Sequence, residues 1–423
     1  MIGALFLMLA LFAAGVPIAL ALGIAPLPTL FGLGIPLIAI PQVVFESLDS
    51  FALMALPLYV LAGRLMQMGG IAQRLVGFAI AVVGFLPGGL AASVVLTSML
   101  FATISGSSAA TAAAIGSVLI PEMEKQRYPR PFAAAVTASS GELGVIIPPS
   151  VPMVIYAVIT NVSISDLFIA GFLPGLLIGC SLIATTTVLA KIRGYGNSAA
   201  FEFRPWLCGL AAAFRRAFLS LLMPIIVLGG IYGGIFTATE AAVVAVAYAL
   251  VVGIFVYGEI KIRDLPRIFA DSAITASVVM IIVGFAAMFA FSLSLLQAPQ
   301  QIGAALASVS NSPAVFLLLV NLFLLVVGMF METFAAIIIL APILAPIAIG
   351  FGIDPVHFGL IVIVNLAVGM VTPPVGVNLF VACGIARITM EQLMRPLLVF
   401  LVVLIADLAV ITYVPALSLA LLR

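Results

Sequence analysis

Long apolar runs separated by short polar segments make up most of this chain. About 20 helical residues cross the hydrocarbon core of a bilayer, so apolar runs of about that length predict membrane-spanning helices. The first run is interrupted around Gly15–Pro17, which leaves open one long kinked span or two short ones. The predicted spans of this all-α polytopic membrane protein are Gly3–Phe31, Phe51–Met68, Leu167–Leu189, Phe218–Phe236, Ala241–Tyr257, Ile274–Leu296 and Leu397–Leu419.

Shorter and more polar segments connect these spans. Gln73–Phe85 and Pro299–Val309 are amphipathic and predict short helices, whereas Pro36–Ser50 is expected to be a loop. Lys191–Arg216 is the most polar stretch of the chain. We expect a cytoplasmic connector with an interfacial helix at 191–217, which would join a first repeat at 1–190 to a second at 218–423.

Two further apolar segments, 132–159 and 358–385, each contain a Pro-Pro pair, and Pro373 lies 225 residues after Pro148. Proline lacks a backbone donor and pushes the preceding residue out of helical geometry, so both helices are expected to break. Hydrocarbon does not tolerate the freed carbonyls, but a protein-lined polar cavity does. Two matched broken helices therefore indicate a transporter with its binding site between them.

The basic residues predict how the halves are oriented. Fifteen of the 16 lysines and arginines fall on one face only if the apolar runs 90–121 and 313–349 each enter and leave on the same side, as re-entrant hairpins. The positive-inside rule makes the basic face cytoplasmic. The first hairpin then opens to the cytoplasm and the second to the outside, which is an inverted repeat.

Sequence echoes support this repeat. The segments Ser107–Ala110 and Thr333–Ala336 are similar and lie 226 residues apart. The same offset separates Ser163–Asp166 from Thr389–Gln392, and each of these resembles a capping box that opens the next helix. Three echoes in nearly one register favour an internal duplication.

Composition argues against several function classes. The chain is 65% hydrophobic and 7% charged, with a net charge of +1, which fits a membrane protein and gives no electrostatic case for nucleic acid. Cys180, Cys208 and Cys383 lack the spacing of a disulfide framework or a metal cage.

The single histidine, His357, is expected to be solvated or to cap a helix. Without a catalytic triad or a phosphate-binding loop, we expect neither an enzyme nor direct use of ATP. Met1–Leu22 is expected to be a first span and not a cleaved signal peptide.

The hairpin tips carry the candidate chemistry. The first tip, Ser105–Thr111, is small and rich in hydroxyls, and the second, Glu332–Ala336, adds a carboxylate. Hydroxyls and freed carbonyls suit a hard cation, and helix N-termini suit a carboxylate ligand; close packing of small residues is the alternative. Glu142 and Glu332 lie nearest the expected cavity, where each has either a functional role or a structural one as an acceptor of freed amides.

Several stretches together resemble the large membrane subunit of tripartite ATP-independent periplasmic (TRAP) transporters. They are Asp49–Gly63, Ser105–Thr111, Ile147–Ser150, Gly328–Thr333 and Thr372–Gly376. The resemblance implies a sodium-coupled importer of organic acid anions, such as a dicarboxylate or sialic acid, that works by an elevator motion in the bacterial inner membrane. It also implies a small four-span membrane subunit and a periplasmic substrate-binding protein as partners. A stand-alone sodium/dicarboxylate symporter of related hairpin architecture remains the alternative.

The resemblance also implies site residues, with about two sodium ions. For sodium they are Ser105, Gly106, Ser107, Ser108, Gly144, Pro148, Glu332, Thr333, Gly369, Thr372 and Pro373. For substrate they are Ser108, Thr111, Glu142, Ser150, Thr333, Val375, Gly376 and Asn378. Two residues depart from the family pattern: Arg64 replaces a common acidic residue, and Phe334 replaces a small or hydroxyl one. No arginine or lysine is expected to reach the substrate, so helix N-termini, hydroxyls and sodium would meet its charge.

Overall fold

The computed structural model describes residues 2–36, 38–196, 202–309 and 312–422, and these residues form an all-helical protein. In the first repeat the helices are α1 (Ile2–Ala13), α2 (Ile18–Ile24), α3 (Leu27–Gly32), α4 (Ala39–Leu48), α5 (Ala55–Met68), α6 (Ile71–Val83), α7 (Gly89–Ser105), α8 (Ser108–Lys125), α9 (Arg130–Gly141), α10 (Leu143–Ile146), α11 (Val151–Thr160) and α12 (Ile164–Arg193). In the second repeat they are α13 (Phe203–Tyr232), α14 (Ala238–Val251), α15 (Leu265–Leu295), α16 (Ala298–Val309), α17 (Pro313–Phe330), α18 (Thr333–Gly350), α19 (Pro355–Met370), α20 (Val377–Ala386), α21 (Met390–Tyr413) and α22 (Ala416–Leu419).

The long apolar helices confirm a polytopic membrane protein. Within the described ranges, seven helices are long and apolar enough to cross a membrane, and the number rises to nine if each of two bent helix pairs counts as one span. The short amphipathic helices predicted after the second span and before the second hairpin are α6 and α16.

Both predicted broken helices are present. The first stops at Ile146, passes through an extended segment that contains the proline pair and resumes at Val151. The Ser150 hydroxyl donates to the carbonyl of Val145 at 2.6 Å, which satisfies one acceptor that the break frees. The second helix stops at Met370 and resumes at Val377.

Both hairpins are present as well. In the first, α7 ends at Gly106, whose φ of +59° lies in the left-handed region that glycine adopts most readily. The Ser107 side chain then caps α8 by accepting a hydrogen bond from the Ala110 amide. In the second hairpin, α17 and α18 are joined by Met331 and Glu332, both in extended conformation.

The two repeats contact each other through the helical segment that follows each break. In the first repeat α11 packs against α18 of the second hairpin, while α20 of the second repeat packs against α8 and α9. The second half of each broken helix therefore packs against the opposite repeat. Both hairpin tips contact one residue of the second break, Met370.

The helix caps agree with the predicted repeat. Ser163 accepts a hydrogen bond from the Asp166 amide at the start of α12, and Thr389 with Gln392 forms a full capping box at the start of α21. A second full capping box, formed by Thr237 and Glu240, opens α14.

Two segments and one residue differ from the prediction. Pro36–Ser50 is not a loop, because α4 forms there with Pro41 in its first turn, where a helix does not need a proline N–H. Within the described part of the connector, α12 continues to Arg193 and α13 runs unbroken from Phe203 to Tyr232, so the expected interfacial segment is continuous with the next span. Residues 197–201 of the connector lie outside the described part of the chain. His357 is not solvated: it is buried, with Nδ1 3.1 Å from the Ser418 hydroxyl, and Asp354 is the residue that caps α19.

Candidate functional site

Three oxygen atoms cluster at the first hairpin tip. The Ser105 and Thr111 hydroxyls lie 2.5 Å apart, and the Thr111 hydroxyl donates to the Ser107 carbonyl at 2.8 Å. Ser105 Oγ also lies 3.3 Å from that carbonyl. The Ser107 hydroxyl is used differently, because it caps α8. Two hydroxyls and one carbonyl therefore form the cluster.

The first helix break lies directly on this cluster. A methyl group at Gly144 would lie 2.4 Å from the Thr111 hydroxyl and 2.5 Å from the Ser107 carbonyl, so only glycine allows this approach. On the other side of the tip, a methyl group at Gly106 would lie within 3.5 Å of the Pro149 carbonyl. The first tip and the first break are therefore in contact, and Pro148 of the break is buried.

The second tip is arranged differently. The Thr333 hydroxyl lies 2.9 Å from the sulfur of Met370, and the Thr372 hydroxyl donates to the Val368 carbonyl at 2.7 Å. Glu332 is exposed and begins α18. Among the described residues, these hydroxyls are not brought into contact with one another. The second set of predicted ligands is therefore adjacent but does not form an oxygen cluster.

Glycines again set the distance between hairpin and break in the second repeat. A methyl group at Gly369 would lie 2.5 Å from the α-carbon of Gly328, so α17 and α19 touch through their backbones. The Gly376 amide donates to the Met329 carbonyl at 3.1 Å, which ties the end of the break to the hairpin. Val375 and Pro373 beside it are half-buried.

Met370 connects the two tips, and the sequence pattern did not indicate this role. Its sulfur lies 3.6 Å from the Ser108 hydroxyl of the first tip as well as close to Thr333 of the second. Ser108 and Thr333 are separated by 225 residues, the offset of the proline pairs. Met370 lies next to Gly369 in the second break, and this position was the sequence signal that could have indicated its role. Its apolar side chain, however, suggested only a packing role.

Glu142 and Asn378 form a buried pair that joins the two broken helices. The Asn378 amide donates to the Glu142 carboxylate, and both side chains are fully buried. Glu142 Oε2, Asn378 Oδ1 and the nearby Ser139 hydroxyl have no partner among the described residues. The structural alternative expected for Glu142 takes another form, since its carboxylate accepts from a side chain of the other repeat and not from freed backbone amides. A functional role for Glu142 stays a prediction.

A cavity of about 210 Å³ is lined by residues of the first tip, α5 and α15. The second tip contributes Phe334 to its wall, so a ring stands where the family resemblance implies a small or hydroxyl residue. An arginine, Arg64 of α5, lines this cavity, although none was expected near the substrate. The polar residues on its walls are Arg64, Gln67, Ser105, Ser107, Asp271, Ser272 and Thr275.

Comparison with known proteins identifies the family to which these features correspond. The family model described as "Tripartite ATP-independent periplasmic transporter, DctM component" matches residues 5–417. A C4-dicarboxylate TRAP transporter large permease protein of Pseudomonas aeruginosa is 44% identical over 89% of this chain and 87% of its own length. A sialic acid TRAP transporter large permease protein of Vibrio cholerae is 38% identical over 100% of this chain and 98% of its own.

Two further comparisons concern length and fold. An isethionate TRAP transporter permease protein of Oleidesulfovibrio alaskensis is 43% identical over 95% of this chain, and the match spans 63% of that relative's length. The crystal structure of the YdaH transporter of Alcanivorax borkumensis, described as having an unusual topology, aligns with a TM-score of 0.66 at 18% identity. The alignment covers 89% of this chain and 88% of that one. At this identity the likeness concerns the fold alone.

Proposed function

This chain belongs to the DctM family of tripartite ATP-independent periplasmic transporters, and we propose that it couples the import of a small organic acid anion to the entry of sodium. Membership of the family makes it a large permease subunit of the inner membrane. The proposal concerns the coupling to sodium, the class of substrate and the elevator motion of the protein.

The oxygen cluster at the first tip carries the proposed sodium coupling. Two hydroxyl oxygens and the Ser107 carbonyl lie within 3.3 Å of one another, with Gly144 packed against them. Neutral oxygen ligands of this kind suit a hard cation better than a transition metal, which prefers nitrogen or sulfur. Sodium fits this donor set as a transported ion. At the second tip Thr333 already contacts a sulfur, so a second ion there would require the Met370 side chain to move aside.

The proposed substrate class rests on the relatives and on the cavity. The three relatives are described as transporting a C4-dicarboxylate, sialic acid and isethionate, and all of these are organic anions. Pockets for drug-sized ligands enclose roughly 300–1,000 Å³. The cavity beside the first tip is smaller, at about 210 Å³, and therefore favours an anion of only a few carbons.

The packing of the repeats supports an elevator motion. Because α11 packs against α18 while α20 packs against α8 and α9, the hairpins and broken helices form one interlocked unit. The cavity lies between this unit and the helices α5 and α15. In the proposed motion the interlocked unit slides past those helices and carries the ions and the anion with it.

Reconstitution in liposomes tests the proposal and the proposed partners together. The permease, a small membrane subunit and a periplasmic binding protein are combined, and uptake of labelled succinate, isethionate and sialic acid is measured with and without an inward sodium gradient. We expect uptake of at least one of them only with sodium, and little or none from this chain alone. Undiminished uptake in sodium-free buffer would contradict the coupling. Full activity of the single chain would favour the stand-alone symporter.

A further inference from the structure

Arg64 is placed where it can meet the charge of a substrate. It lies on α5 and lines the cavity beside the first hairpin tip, and of the described residues on the walls of that cavity it alone is basic. The α5 backbone sits directly on the end of α7, since a methyl group at Gly63 would lie 3.1 Å from the Ile104 carbonyl and 3.5 Å from that of Ser105. The α5 backbone beside Arg64 therefore lies against the end of α7, next to Ser105 of the oxygen cluster.

Its present partner leaves most of the guanidinium available. One nitrogen of Arg64 lies 3.2 Å from a carboxylate oxygen of Asp271 on α15, and the two side chains are 48% and 40% exposed. In the described part of the chain this is the one hydrogen bond that Arg64 makes. A guanidinium carries five N–H donors in a planar fork that matches a carboxylate or a similar oxyanion.

We propose that Arg64 binds the acidic group of the transported anion, and that Asp271 holds the guanidinium in place and competes with the substrate for it. This inference rests on the proposed function of the same cavity. The anion would lie between two positive charges, with Arg64 on one wall and a sodium ion at the oxygen cluster on the other. A charge-assisted hydrogen bond from the guanidinium on one side and an ionic contact with sodium on the other favour a small carboxylate or sulfonate over a neutral compound.

Two single substitutions separate this role from a structural one. Uptake by the complete three-component system is measured for whichever of succinate, isethionate and sialic acid the wild type transports. Loss of a hydrogen bond between charged groups typically weakens binding roughly tenfold or more. We therefore expect Arg64→Gln to raise the KM for the anion by that factor, with the half-saturating sodium concentration unchanged. Asp271→Asn, which removes the competing carboxylate, is expected to lower the KM or leave it unchanged.

The matched control is Arg130→Gln. Arg130 forms an ion pair with Glu124 at 2.7 Å, with both side chains nearly half exposed, as in the Arg64 pair, but it lies at the start of α9 and does not line the cavity. We expect wild-type KM from this variant. Equal KM increases from Arg64→Gln and Asp271→Asn would show that the ion pair is structural and would overturn the inference, as would an unchanged KM in Arg64→Gln.

A charge exchange covers the case in which Arg64→Gln does not fold. The double variant Arg64→Asp, Asp271→Arg restores an ion pair between α5 and α15 but moves the cation to the other helix. We expect the double variant to fold and to keep a raised KM, whereas recovery of the wild-type KM would overturn the inference. Absence of sodium-dependent uptake by the wild type would instead contradict the proposed function, so the two failures are distinguishable.

Discussion

The carboxylate of Glu142 accepts a hydrogen bond from the side-chain amide of Asn378, which lies 236 positions later in the chain. Glu142 lies at the end of α9 in the first broken helix, and Asn378 lies in the first turn of α20, after the second break. Both side chains are fully buried. This pair therefore joins the two repeats in the interior of the protein.

Replacing Asn378 is expected to destabilise the protein. Asn378→Leu keeps a similar volume but leaves a buried carboxylate without its donor, which costs on the order of 1–3 kcal/mol or more. Glu142→Gln keeps an oxygen that can accept the same hydrogen bond, so its thermal stability should stay near that of the wild type. Melting temperatures of the purified variants in detergent check this. Equal melting temperatures for Asn378→Leu and the wild type would show that the pair contributes nothing.

The oxygen cluster predicts which hydroxyl at the first tip matters for sodium. Thr111→Val keeps the shape of the side chain and removes an oxygen that lies within 2.8 Å of two others. Loss of one ligand in a buried site costs on the order of 1–3 kcal/mol, so we expect a roughly tenfold to hundredfold rise in the half-saturating sodium concentration. Sodium titration of uptake gives this value directly.

Ser107→Ala tests whether the Ser107 hydroxyl is a sodium ligand or only a helix cap. The carbonyl of Ser107 belongs to the cluster, but its hydroxyl caps α8. The alanine variant should therefore keep the wild-type sodium dependence and lose roughly 0.5–2 kcal/mol of stability through the missing cap. If instead Ser107→Ala changes the sodium dependence and Thr111→Val does not, the Ser107 hydroxyl is the sodium ligand and the Thr111 hydroxyl is not.

Gly144→Ala should disturb the first site through its shape alone. Its methyl group would lie 2.5 Å from the Ser107 carbonyl, a separation that forces tip and break apart. We expect sodium-dependent uptake to fall steeply while the protein still reaches the membrane. Gly384→Ala in α20 is the control, because a methyl group there meets nothing within 4 Å and alanine favours a helix by up to about 1 kcal/mol. Similar uptake by both variants would mean that the close approach at Gly144 is dispensable.

Cysteine labelling tests the predicted orientation of the repeats. Exposed Cys180 and Cys208 are first replaced, together with the buried Cys383. A cysteine at Gln126, after the first hairpin, should then react only with reagent that reaches the cytoplasm. One at Asp166, at the start of α12, should react only with external reagent. Labelling of position 126 from outside would show that the first hairpin crosses the membrane.

The elements that depend on a few neighbouring residues were predictable from the sequence. The proline pair at Pro148 breaks its helix wherever the segment packs, because proline cannot donate a backbone hydrogen bond. Gly106 and the capping residue Ser163 act in the same local way, through the conformation of one residue or a hydrogen bond to the next turn. Hence the broken helices, the hairpins and the capped starts of α12 and α21 all appear where the pattern placed them.

The chemistry of the candidate site depended on contacts between distant parts of the chain. Arg64 reaches the cavity only because α5 packs on the end of α7, and Met370 meets Ser108 and Thr333 only because the two tips converge. A side chain's neighbours across the repeats do not follow from its own position in the hydrophobic pattern.

The sequence by itself therefore determined a duplicated membrane protein with two hairpins and two broken helices, because helix breaks, caps and apolar length are local properties of the chain. The tertiary structure decided which oxygens meet at Ser105 and Thr111, that Glu142 pairs with Asn378, and that an arginine faces the cavity. The Ser105–Thr111 contact arises from the tight turn of one hairpin tip. The other two arise from contacts between the repeats, where packing and the burial of polar groups bring together residues more than 200 positions apart.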